Sequence, residues 1–111
     1  MRIAAELSVE PERRRIQRQV TRMPAGFRER GRSAFSVQVV DFSANGCKIE
    51  CNAPIIVGDH AWLKLPGLEG WYTRVAWIDE GCAGLDFARP FHPAVAASLL
   101  AEFGRVLPWP P

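Results

Sequence analysis

Between Val20 and Ala88 apolar residues recur at every second position, in six short runs divided by glycine, proline, asparagine or aspartate. That pattern limits the fold more than any other property of the chain. Residues 20 to 28 set Met23, Ala25 and Phe27 against Arg22 and Arg28. Phe35, Val37 and Val39 then alternate with Ser36 and Gln38 in a strand ending at Asp41, and Cys47, Ile49 and Cys51 alternate with Lys48, Glu50 and Asn52. Ala61, Leu63 and Leu65 enclose Trp62 and Lys64. From Glu69 to Asp79 one face carries Trp71, Thr73, Val75 and Trp77, and the other Tyr72, Arg74 and Ala76. Residues 82 to 88 turn Ala83, Leu85 and Phe87 inward. Six half-buried strands at even spacing predict an antiparallel barrel, because closing the sheet removes the unpaired edges an open one would expose.

Breaks in the pattern supply the corners. Gly31, Asn52-Ala53-Pro54, Val57-Gly58-Asp59, Pro66-Gly67 and Glu80-Gly81 mark turns, and Asn45-Gly46 is expected to supply the positive φ of a tight hairpin. Pro24 fits only an edge or bulge of the first strand. The period changes near the end: Pro93 suits a first helical position, and Val95, Ala96, Leu99, Leu100 and Phe103 form an apolar stripe stopped by Gly104. The helix is expected to lie over an open end of the barrel. The 111 residues thus divide into an arm at 1–12, a barrel domain with its helix at 13–104, and a proline-rich tail at 105–111 whose Trp109 can pack back or meet a partner.

Several classes of function are disfavoured. Apolar residues make up 48% of the chain, enough for one core, yet no run approaches the roughly 20 residues a membrane helix requires. With Glu6, Glu10 and Glu12 early and no apolar centre, the N-terminus does not read as a secretory signal, so the expected location is the cytoplasm, with no membrane partner. Cys47, Cys51 and Cys82 form no C-x-x-C pair and read as small buried thiols. His60 and His92 have no visible catalytic partner, and no metal, cofactor or enzyme motif is evident, so the expected protein is not an enzyme.

Charge is distributed unevenly. Residues 1–32 hold nine arginines and four glutamates, a balance of +5, while residues 33–111 hold five basic and eight acidic residues, a balance of −3. Arginine's planar fork suits phosphates and guanine edges, so an anionic ligand is expected at the N-terminal third. Arg14 and Arg18 form an RxxxR pair there, and about twenty residues on comes the turn Asp41-Phe42-Ser43-Ala44-Asn45-Gly46.

This ordered combination resembles the PilZ domain of bacterial cyclic di-GMP receptors, over roughly residues 12 to 103. The resemblance implies a six-stranded β-barrel with a C-terminal helix, and cyclic di-GMP, a second messenger, as ligand. It also implies a ligand set of Arg13, Arg14, Arg18, Asp41, Ser43 and Gly46. On that reading Arg14 and Arg18 meet phosphate or guanine acceptors, Asp41 takes the guanine N1-H and N2-H donors, Ser43 bonds a polar oxygen, and Gly46 admits close backbone approach. An arginine at position 13 is similar to the type that binds an intercalated ligand pair. The function implied is a receptor or adaptor that changes conformation and signals to a partner protein. The alternative is a small barrel that binds nucleic acid through the same arginines. Against it stands the lack of any aromatic residue among residues 13–26, since bases stack on exposed rings.

Overall fold

The computed structural model describes residues 19–104; the arm at 1–12, Arg13, Arg14, Arg18 and the tail at 105–111 lie outside the described residues. Six strands form a closed barrel: β1 (Gln19–Glu29), β2 (Phe35–Phe42), β3 (Gly46–Glu50), β4 (His60–Lys64), β5 (Gly70–Asp79) and β6 (Cys82–Phe87). Around the barrel their order is β1-β2-β3-β6-β5-β4, with every pairing antiparallel. One helix, α1 (Pro93–Phe103), follows. The six-stranded barrel with a C-terminal helix expected from the alternation is the fold observed.

Phe27, Phe42, Met23, Ile49, Leu63, Leu65, Leu85, Val39 and Val75 fill the interior and are almost wholly buried. So small a barrel is packed solid by its inward side chains, and any ligand must lie outside it. Each strand turns a hydrophobic face inward, and two buried threonines occur among them because each hydroxyl finds a carbonyl. Thr21 Oγ1 donates to Val39 O at 2.6 Å, and Thr73 Oγ1 to Ala61 O at 3.0 Å.

Pro24 is tolerated because β1 meets β4 only from Gly26 to Glu29, which leaves Pro24 with a partner on the β2 side alone, at Gln38. A register shift between Val20 and Met23 lies beside it. The expectation of an edge position holds, with the irregularity lying just before Pro24 and not at it.

One end of the barrel is closed by aromatic packing. Phe91 touches Phe42, Phe87 and Trp71, with ring centroids 5.8, 5.1 and 4.1 Å apart. The Trp71 indole N-H is satisfied by Arg89 O at 2.9 Å. α1 starts where His92 Nδ1 accepts from Ala94 N at 3.0 Å, with Pro93 in its first turn, so His92 is a structural cap. The helix buries Ala96 and Leu99, and Gly104 ends it by bridging to Thr21 of β1.

Candidate functional site

The chain between β2 and β3 forms a turn that is fixed from behind. Ser43 N donates to Gly46 O at 2.9 Å, and Ser43 Oγ accepts from Asn45 N while donating to Gly46 O, both at 3.3 Å. Ala44 O accepts from Phe91 N and Asn45 O from Phe87 N, each at 3.0 Å. Its inward-facing carbonyls are thereby anchored to the end of β6 and to the segment before α1.

The expected positive φ at Asn45-Gly46 is not found. The left-handed pair is Glu80-Gly81, at φ 47° and 81°, which makes the two-residue connection between β5 and β6. Gly46 is needed for a different reason: a Cβ there would stand 2.5 Å from Leu85 O on the neighbouring strand. Close approach of β3 to β6 accounts for this glycine without a ligand.

Asp41 owes its position to a bulge. Continued alternation from Val37 and Val39 would send it into the core. An irregularity between Val39 and Asp41 instead gives the inward place to Phe42, fully buried, and sets Asp41 opposite Val20 on β1 and Lys48 on β3. Its charge adds to burial in pushing the Cys47 thiol far above the ordinary range, burial being the larger cause. Cys47 is therefore an inert thiol, as its inward position suggested.

Cross-strand pairing extends this row to Gly84 on β6 and Trp77 on β5, giving Val20, Asp41, Lys48, Gly84 and Trp77 side by side on the outer surface. Trp77 was expected to share a face with Trp71, Thr73 and Val75. A second bulge, between Val75 and Trp77, reverses the phase, and Trp77 is 41% exposed. The sequence did carry a signal of that reversal: Trp77 and Ile78 are adjacent large apolar residues where alternation would require one of them to be polar. The indole lies on the bare backbone of Gly84, where a Cβ would overlap Nε1 and Cε2. Trp77 and Gly84 join Ser43, Asn45, Gly46 and Asp86 around a shallow cavity of about 170 Å³. Sequence reasoning did not single out Trp77, which lines this cavity, or Lys48, which pairs with Asp41.

Of the six expected ligand contacts, Asp41, Ser43 and Gly46 are brought to one end of β2 and β3. β1 begins with Gln19 opposite Phe42 and Val20 opposite Asp41, so the N-terminal end of the first strand lies beside this turn. Among the described residues no group of three or more histidine, cysteine or acidic side chains could hold a metal ion, and no helix is long and apolar enough to cross a membrane. All three cysteines are free.

A filled barrel carrying an anchored polar turn and an exposed indole on its outer surface has the architecture of a small ligand-binding domain. The family model for the PilZ domain matches residues 12–102, and the chain belongs to that family of cyclic di-GMP-binding domains. No curated protein matches the sequence.

Proposed function

We propose that this protein is a cytoplasmic cyclic di-GMP receptor, not an enzyme, that holds its ligand between the N-terminal arginines and the β2–β3 turn. The observation that supports the reading is the pairing of Val20 with Asp41, since it sets the strand that follows Arg18 in the sequence beside the strand that presents the carboxylate. Asp41 accepts the N1-H and N2-H of one guanine, and Ser43 contacts a phosphate or base oxygen. Trp77 offers its indole face as a wall for the other purine. Arg14 and Arg18 neutralise phosphates or fork onto O6 and N7, with Arg13 adding the charge that a stacked ligand pair requires. Closure of the arm over the ligand changes the surface offered to a partner protein, which makes the domain an adaptor.

Calorimetric titration with cyclic di-GMP and with GTP tests this reading. Saturable binding of cyclic di-GMP at two molecules per chain, with GTP much weaker, is the expected result. Equal affinity for GTP overturns the receptor assignment. A single ligand per chain overturns only the role given to Arg13.

A further inference from the structure

The case against nucleic acid rested on the arginine arm having no aromatic neighbours in sequence. The barrel supplies such neighbours from other strands. Arg28 on β1 pairs with Trp62 on β4, which pairs with Tyr72 on β5; the next row is Gly26, Lys64 and Gly70. One step the other way, His60 pairs with Arg74. The three rings are continuous, with Trp62 and Tyr72 centroids 4.7 Å apart and His60 stacked on Tyr72 at 5.2 Å and 4°. On β1 from 22 to 28, β4 from 60 to 64 and β5 from 70 to 74, the charged residues turned outward are Arg22, Arg28, Lys64 and Arg74, all cations. Arg74 is partly offset by Asp86, at 3.5 Å.

Trp62, 40% exposed, also walls a cleft of about 390 Å³ completed by Gly26, Gly70, Arg28, Lys64 and Ala34. Two glycines leave its floor as bare backbone, so a flat ring can lie there against the indole. Arg28 and Lys64 line the same cleft and can meet the phosphates, the Lys64 ammonium also donating to Leu65 O at 3.4 Å. An aromatic platform interleaved with cations is how single strands are held without base-specific contacts.

We propose that this outer face of β1, β4 and β5 binds single-stranded nucleic acid, with a base against Trp62 and its phosphates on Arg28 and Lys64. Trp62 and Tyr72 also wall a larger cavity of about 660 Å³, lined by Glu29 and Asp59 together with Arg30 and Arg32. Tyr72 and Trp77 are five positions apart on β5, about 17 Å, so this face and the cyclic di-GMP site are distinct.

Fluorescence anisotropy with a labelled 12-nucleotide oligouridylate, at about 50 mM salt, tests the proposal on the full chain. The single strand should bind better than the matching RNA duplex or uridine monophosphate. Trp62→Ala should weaken it about ten- to a hundredfold, with Trp62→Phe recovering part of the loss. Arg28→Ala should lower the slope of log affinity against log salt by about 0.7. Calorimetry should give Trp62→Ala an unchanged affinity for cyclic di-GMP, which separates loss of this face from loss of the receptor site or of the fold. The proposal is overturned if the wild-type chain does not bind the oligouridylate, if the duplex binds equally well, or if Trp62→Ala binds like wild type. Loss confined to Arg14→Ala and Arg18→Ala also overturns it, since binding would then belong to the N-terminal segment.

Discussion

Trp77 rests on Gly84 because residue 84 lacks a side chain, and the indole occupies the space a Cβ would need. The pairing makes Gly84 as much a determinant of the candidate site as the residues around the turn. Trp77→Ala should lower cyclic di-GMP affinity about tenfold, the scale of one lost stacking contact. Gly84→Ala should produce a comparable loss with the tryptophan still present, because the added methyl displaces it. Calorimetry on both variants checks this. Normal binding by Gly84→Ala would show that the position of the indole is immaterial.

The N-terminal arginines and Asp41 should fail differently. Arg14→Ala and Arg18→Ala each remove a charge-assisted contact of about 1.5–3 kcal/mol, or ten- to a hundredfold in affinity, and should leave thermal stability unchanged. Asp41→Ala should weaken cyclic di-GMP while leaving oligouridylate binding unimpaired, since a carboxylate serves a guanine edge and opposes a phosphate chain. If Asp41→Ala bound cyclic di-GMP normally, the guanine contact would have to be assigned elsewhere.

The strands were legible because burial follows a period of two, and the helix because Pro93, the Val95 to Phe103 stripe and Gly104 all indicate the same element. The bulges were not. One extra residue between Val39 and Asp41, and another between Val75 and Trp77, reverse which side chains face out, and each depends on register with a neighbouring strand. Asp41 was therefore singled out as a chemical group without its orientation being known, and Trp77 was placed on the same face as Val75. Gly46 carries a packing constraint that its neighbours in sequence do not reveal. Its sequence context suggests a positive φ, whereas the constraint is the carbonyl of Leu85, about forty residues away in the chain. The face containing Arg28, Trp62 and Tyr72 was invisible for the same reason, since its rows run across strands.

Gly46→Ala should consequently act on stability before it acts on ligand. The methyl would force β3 away from Leu85 O, an overpacking cost of about 1–3 kcal/mol, which lowers the melting temperature of a domain this size by roughly 4 °C or more. Thermal unfolding without ligand measures it. An unchanged melting temperature together with lost cyclic di-GMP binding would return Gly46 to a direct role at the ligand.

Glu29 gives the barrel a pH dependence that runs opposite to that of a salt-bridged carboxylate. It lies in the inward-facing register of β1, opposite Ala61, and is only 8% exposed. Burial raises its pKa first, and the hydrogen bond to Asp59 and the charge of Asp59 raise it further; Arg32, 3.9 Å away, pulls the other way. In the unfolded chain the group titrates near 4.3. Since the folded value is higher, the stability contributed by the protonated group is complete below about pH 4 and is lost as pH rises through the folded value. Glu29→Gln keeps a neutral hydrogen-bonding group at that position and removes the titration. Its melting temperature should match wild type near pH 4 and exceed it at pH 7. A variant less stable than wild type at pH 7 would mean that the ion pair with Arg32 outweighs burial, and that Glu29 is held there as a carboxylate.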